Sequence, residues 1–452
     1  MLKRNIVVNF FGSGYAVLLQ FAMLPLTLRH LGAEAFGLIG VFVTLQALAS
    51  ILDGGLAPAV ARELARLSVT ENGDGLMRAT VRTLELLCAG IAVLVVLSIW
   101  IAAPAIATYW LNASKMPTDS VVFCLRAMGV QTAFYLLATY YAGGINGLQL
   151  MPLCNGLTAI LQTVRALGVV VVLVSLGKGA EWFFAWQAIA TGLTALAMAV
   201  ALDRALPAIG VSSFSRERLA ACSKFATGMA GITLATLGLT QIDKLLLSKL
   251  LSLEDFGYYT TASMIAGAIS RPASLVFAAI LPRMTQLHEA NDFVRLQSVY
   301  MKSCRLIAWL TIPPALVLAV FHAPILTMYF SSAALASHVG PIAAVISIGM
   351  AFNGLMHTPY SLTLAYGWPE FAIRQNVIAT IFLVPAIFIG TSHYGALGAA
   401  WAWVGLNAAY VMFSMYFIHG RCLPGTLLHW YTTNGLIAAF CACVALVAFR
   451  FV

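Results

Sequence analysis

Six charged residues interrupt long apolar stretches of this chain: Asp53, Arg126, Arg165, Asp243, Lys244 and Arg271. A charge at the centre of a bilayer costs about 2.5 to 3.5 kcal/mol on insertion scales, so side chains of this kind face a bundle interior or a wet cavity and mark a route for ions or substrate. Arginine offers a planar fork that meets two oxygens of a phosphate at once. Arg271 and Arg165, together with Lys244 and Arg126, are therefore the candidates for gripping a phosphate or pyrophosphate; the alternative for Arg126, five residues into its stretch, is to snorkel to the interface. Asp53 and Asp243 are the two carboxylates at such depth, and they are candidates for H+ or Na+ coupling or, equally, for plain counterions such as a structural Asp53–Arg271 pair. Asp243 and Lys244 are adjacent, hence about 100° apart on a helix, and cannot both point at one spot. Helix breakers flank the two deepest candidates: Gly54, Gly55 and Pro58 beside Asp53, and Pro272 beside Arg271. Interrupted helices in corresponding positions point to a transport site, which makes these four residues the expected hinges.

Catalytic chemistry finds no support in the same reading. The histidines are scattered, with no H-E-x-x-H helix, no phosphate-binding glycine loop and no G-x-S-x-G turn. The eight cysteines lack C-x-x-C spacing, so neither a zinc site nor a disulfide framework is expected. No metal, no cofactor and no enzymatic activity are expected. Polar side chains at Gln131, Tyr135, Asn146, Gln162, Asn353 and Tyr360 are available to line a cavity or to hydrogen-bond within a bundle.

The elements that must position these residues are membrane helices. Of the 452 residues 61% are hydrophobic and 9% charged, against roughly 25% charged in a soluble protein. About 20 residues span a bilayer, and apolar stretches of that length recur from residues 6–28 through 397–418, so that twelve spans are expected, with an extra C-terminal helix at 435–452 behind an interfacial His429, Trp430 and Tyr431. The fold class is an all-α integral membrane protein. No cleavable signal peptide is evident, because the first apolar stretch is too long and lacks a cleavage site. With Lys3 and Arg4 in the cytoplasm, 16 of the 25 basic residues fall on the cytoplasmic side and four (Arg29, Lys115, Lys178, Lys249) outside, a strong positive-inside signal. The net charge of +9 thus follows from topology, and no nucleic-acid partner is needed.

An internal repeat organises the spans. Arg29-His30-Leu31-Gly32-Ala33-Glu34-Ala35-Phe36-Gly37-Leu38 returns 220 residues later as Lys249-Leu250-Leu251-Ser252-Leu253-Glu254-Asp255-Phe256-Gly257-Tyr258, aligning the basic residue, the glutamate and the Phe-Gly pair. Six spans separate the copies, as in parallel repeats about an axis along the membrane normal. The expected domains are an N-terminal six-helix bundle (1–206), a cytoplasmic linker (207–218), a C-terminal six-helix bundle (219–420) and a terminal segment with its helix (421–452).

The run from Leu28 to Leu38, followed by Asp53-Gly54-Gly55-Leu56 and Arg62-Glu63, resembles the opening of the polysaccharide transporters of the MATE-like (MOP) flippase superfamily, and Asp243-Lys244 with Phe256-Gly257-Tyr258-Tyr259-Thr260-Thr261-Ala262 is similar to that family's seventh-to-eighth-helix signature. The resemblance implies a Wzx-type O-antigen flippase of the bacterial inner membrane. Its two bundles would rock about a cationic cavity and carry an undecaprenyl-pyrophosphate-linked oligosaccharide from the cytoplasmic to the periplasmic leaflet, with H+ or Na+ as a coupling ion and polysaccharide polymerase or ligase machinery as partners. It also implies that basic residues hold the pyrophosphate, here Arg165 and Arg271, with Lys244. Lipid II flippases carry arginines deep in their first two helices and have fourteen spans, and this sequence departs from both features. The alternatives are a drug or metabolite antiporter of the same architecture, which would favour an acidic and aromatic cavity, and a membrane-embedded polymerase, which would need a long outer loop.

Overall fold

In a computed structural model of the protein, the described residues are 15, 18–19, 21–52, 55–70, 73–175, 179–208, 214–220, 222 and 241–449. Asp53 and Gly54, the basic pair Lys3 and Arg4, most of the first span before residue 21, residues 209–213 of the linker and residues 223–240 of the seventh span lie outside them. Among the described residues the chain is helical throughout, apart from its turns and one isolated bridge between Asn112 and Ser252. That outcome follows from the medium. With no water in a bilayer core, every backbone N–H and C=O must be satisfied within the segment.

Nine described helices are long and apolar enough to cross a membrane. The longest of these runs, Pro369–Cys422, contains 54 residues, about 80 Å at 1.5 Å per residue against a hydrocarbon core of about 30 Å. It is two spans. Gly395 leaves the helix at φ 57, ψ −141, and a Cβ built on Gly398 would lie 1.9 Å from the carbonyl oxygen of Gly390, so the chain doubles back with two backbones in contact. The last helix covers Leu427–Phe449 and begins eight residues before the sequence pattern placed it, taking Trp430 into its first turns with 1% exposure.

Packing divides the chain into two compact units, Met1–Glu254 and Asp255–Val452. In the first unit, the helix Leu56–Leu67 is seated on Thr118–Gly147 through Gly143 and Gly147. Cβ atoms at these positions would lie 2.6 Å from the Ala57 oxygen and 2.5 Å from the Ala61 oxygen. Between helices in lipid, where apolar burial drives little, close approach at small residues supplies the attraction. In the second unit the 38-residue helix Phe293–Phe330, kinked at Phe321 beyond Pro313 and Pro314, packs along Ala333–Leu355, and the Ser347 hydroxyl donates across to the Ala315 carbonyl at 3.0 Å. A buried chain of hydrogen bonds joins Tyr300 to His419 at 2.8 Å and His419 to Thr426 at 2.8 Å, tying three helix ends together.

Candidate functional site: a polar chamber and unpaired cations

Both interrupted helices are visible. In the first unit, Ala33–Leu52 ends just before Gly55, which takes φ 73, ψ 20, and a new helix starts at Leu56. Only glycine adopts that left-handed geometry without strain. Pro58 falls in the first turn of the restarted helix, where its missing N–H costs nothing. In the second unit, Leu253–Gly267 gives way to one tight turn, Ala268–Ser270, and restarts at Arg271 with Pro272 in its first turn.

Arg271 is thus the first residue of a new helix, exposed, and without a hydrogen-bond or ion-pair partner among the described residues. One turn on, the Ser274 hydroxyl lies 3.3 Å from His357 Nε2. Phe277 on the same helix stacks on Tyr360 with ring centroids 5.7 Å apart. His357 and Tyr360 face a chamber of about 190 Å³ whose walls also include Asn353, Gln375, Asn376 and Tyr410. Hydrogen bonds fix these walls: Tyr410 donates its hydroxyl to Asn376 Oδ1 at 3.0 Å, and Asn353 Nδ2 donates to Asn407 at 3.1 Å. Asn353 and Tyr360 were among the polar residues available, from the sequence, to line a cavity or to hydrogen-bond within a bundle, and Asn353 also makes such a bond to Asn407; His357, Gln375, Asn376 and Tyr410 were not among them. The signal was present in part, since 353, 357 and 360 follow the i, i+4, i+7 spacing of one helix face.

The remaining basic candidates lie in the first unit, Arg165 and Arg126 against neutral partners and Lys244 beside the Asp243 carboxylate. Arg165 donates from Nε to the Gln187 amide oxygen, and its own carbonyl accepts from Trp186 Nε1 at 2.9 Å. Arg126 places its guanidinium 5.1 Å from the centroid of the Trp100 ring, with Nε buried and unpartnered. Lys244 reaches the Gln241 amide oxygen at 3.5 Å, and Asp243 occupies the first turn of the same helix, Ile242–Leu250. No described contact joins Arg126, Arg165 and Lys244 to one another. Gln131, one helix turn beyond Arg126, is 1% exposed and its amide has no hydrogen-bond partner among the described residues.

The ion pairs of the described residues are elsewhere, at Arg66–Glu63, Arg78–Asp203, Arg82–Glu85, Lys115–Glu254, Arg218–Glu63 and Arg295–Asp292. None of the four basic candidates takes part. A buried cation neutralised by a carboxylate would be structural furniture; one met only by amides, an aromatic face or nothing keeps its charge available to an anion. Among the described residues no three His, Cys, Asp or Glu side chains gather as metal ligands. The cysteines described are free thiols, seven buried and Cys443 exposed.

Residues 2–288, more than half of the chain, match the family model described as polysaccharide biosynthesis protein. The chain belongs to this family. A Shigella flexneri protein named as an O-antigen transporter is 20% identical over 402 residues, covering 88% of this chain and 93% of that protein. In fold, the chain is similar to an inward-facing MATE multidrug resistance transporter of the MOP superfamily (TM-score 0.70, 14% identity, 96% of this chain and 94% of the other) and to the lipid II flippase MurJ in an inward closed conformation (TM-score 0.68, 12% identity, 97% of each). The family resemblance and the all-helical membrane class read from the sequence therefore both hold, and the fold is that of the MOP transporters.

Proposed function

We propose that this family member moves an undecaprenyl-pyrophosphate-linked oligosaccharide across the bacterial inner membrane, from the cytoplasmic to the periplasmic leaflet, by alternating access and without covalent chemistry. The observation that carries the reading is the set of arginines within the apolar stretches, Arg126, Arg165 and Arg271, that form no ion pair among the described residues. An anionic lipid head crossing a desolvated midplane requires fixed opposite charge, and guanidinium forks match phosphate oxygens in pairs. The family match and the names of the relatives support the same cargo class, and transporters rather than enzymes are what those names describe.

Direction follows from the membrane potential. With the cytoplasm negative, each negative charge carried outward gains about 2.3 kcal/mol per 100 mV. Return of H+ or Na+ through Asp53 or Asp243 would add to that bias, and the expected hinges Gly54, Gly55, Pro58 and Pro272 are where the helices would flex.

The test is complementation of a deletion strain with wild type, Arg271→Ala and Arg271→Lys, each checked for membrane level. Wild type restores surface polysaccharide; Arg271→Ala, at normal level, leaves lipid-linked repeats in the cytoplasmic leaflet; Arg271→Lys restores part of the glycan. Unchanged glycan on deletion sinks the reading.

A further inference from the structure

The first unit contains a cavity that none of the candidate cations lines. It measures about 370 Å³ and lies where the start of the helix Asp74–Ala105 meets the ends of Thr118–Gly147 and Ala180–Ala205; small-molecule sites run from about 300 to 1,000 Å³. Three arginines line it, Arg78, Arg82 and Arg204, with two carboxylates, Glu85 and Asp203. The carboxylates are already engaged. Glu85 receives Arg82 Nη1 at 2.8 Å on one oxygen and the Tyr141 hydroxyl at 2.7 Å on the other. Asp203 receives Arg78 Nη1 at 2.7 Å, and the other two nitrogens of Arg78 donate to the carbonyls of Pro207 and Asp203. Arg78 thus fastens the start of one helix to the end of another.

What is left over is cationic. Arg204 is exposed and has no hydrogen-bond or ion-pair partner among the described residues, and Arg82, also exposed, has only Nη1 engaged. Three guanidiniums against two carboxylates leave one surplus positive charge in the pocket. The rest of the wall is apolar, Val81, Ala199 and Val200 among it. Val200 is exposed, as are Leu86 and Leu87 just beyond Glu85, and side chains of that kind at this density call for hydrocarbon around them. Guanidiniums at the helix ends and bare aliphatic side chains within one or two turns mark the level at which water gives way to lipid, which is where bilayer phosphates lie. Basic pockets between transmembrane helices on the cytoplasmic side hold anionic headgroups, and the distribution of Lys and Arg puts these three ends on the side expected to be cytoplasmic.

We propose that this pocket binds the phosphate of an anionic bilayer phospholipid, with Arg82 and Arg204 as its donors and Arg78 holding the two walls together. Free guanidinium N–H groups meet phosphate oxygens in pairs. A zwitterionic headgroup would bring an ammonium to a site that already carries surplus positive charge, so the pocket selects phosphatidylglycerol over phosphatidylethanolamine. The bound lipid bridges helix ends and thereby stabilises the folded protein. The assignment does not depend on the transport reading, because no residue of the pocket is among the arginines assigned to cargo.

The test uses the purified full-length chain in detergent, with dioleoylphosphatidylglycerol, dioleoylphosphatidylethanolamine and inorganic phosphate as probes at equal concentration. Lipid retention is read by native mass spectrometry and Tm by thermal unfolding. Arg204→Gln is the most informative single variant, since it removes no described contact, and Arg82→Gln combined with it removes both donors. Arg295→Gln is the control: like Arg82, Arg295 is an exposed arginine paired with a carboxylate three residues away, but it belongs to the second unit. The expected result is preferential retention of the phosphatidylglycerol by wild type with a rise in Tm. That preference falls about fivefold in Arg204→Gln and on the order of twentyfold in the double variant, whereas Arg295→Gln behaves as wild type and inorganic phosphate leaves Tm unchanged. Equal retention of the two lipids by wild type, an undiminished preference in the double variant, or an equal loss in Arg295→Gln overturns the proposal. A rise in Tm with inorganic phosphate that the double variant abolishes, without preference between the lipids, assigns the pocket to a soluble phosphate and overturns the lipid assignment as well.

Discussion

Glu34 and Glu254, 220 residues apart and equivalent in the internal repeat, take hold of the same residue, Lys115. Glu34 accepts the Lys115 backbone N–H at 2.8 Å, and Glu254 lies 2.6 Å from the Lys115 ammonium. Glu34 also accepts from Ser114, through both N–H and hydroxyl, and from the Met116 N–H, so one buried carboxylate gathers the whole turn. Asn112 completes the clasp by donating to the carbonyls of Lys249 and Leu251. The hydrogen bond to Glu254 raises the Lys115 pKa above the ordinary lysine value. As far as Lys115 is concerned, that contact is therefore at full strength at neutral pH and is lost as pH climbs past the lysine range.

Glu34→Gln should destabilise the protein by about 1 to 3 kcal/mol, since the amide turns one acceptor into a donor facing backbone N–H groups that then go unpaired. Thermal unfolding of the purified protein reads this as a drop in Tm. A Tm equal to wild type would show that the loop is held by other contacts.

Gly143→Ala and Gly147→Ala should each cost about 1 to 3 kcal/mol, because the new methyl meets the carbonyls of Ala57 and Ala61, which cannot step aside. Gly156→Ala, where a Cβ meets nothing within 4 Å, is the matched control and should be neutral or slightly stabilising. Membrane level and Tm of the three variants decide the matter.

Tyr300→Phe removes the hydroxyl that meets His419 Nε2 inside the second unit and leaves a buried ring nitrogen without its partner. The expected cost is about 1 to 2 kcal/mol with transport retained. Loss of glycan at normal protein level would instead assign the network a part in transport.

Gln187→Leu separates support from function at Arg165. If the guanidinium serves cargo, removing its neutral amide partner leaves the charge in place, so glycan is reduced severalfold, whereas Arg165→Gln abolishes it. Equal defects with equally low protein levels would mark the pair as structural.

Much of this arrangement was legible in the sequence, for reasons tied to particular residues. Membrane helices announce themselves because insertion depends on local apolarity, and the breaks at Gly55 and Pro272 announce themselves because backbone geometry restricts residue type. The family likeness rested on the short motifs around Phe36-Gly37 and Asp243-Lys244. The chamber was half visible: Asn353 and Tyr360 stand out as polar residues in apolar runs, but Gln375, Asn376 and Tyr410 join them only through the fold of the Gly395 hairpin. Arg165 could be singled out as a buried charge, yet its pairing with Gln187, 22 positions away, depends on how two helices rotate against each other. The apolar slot between the two arms of that hairpin was invisible, since alanines and glycines at 379, 402, 405 and 409 read as ordinary membrane-helix packing until the second arm fails to fill the space beside them.

The contact of Gly390 with Gly398 gives that slot a mechanical character. Both walls belong to one folded piece of chain, pinned at an apex where no side chain separates the backbones. Like a clothes peg, its gap is set by the pinned end.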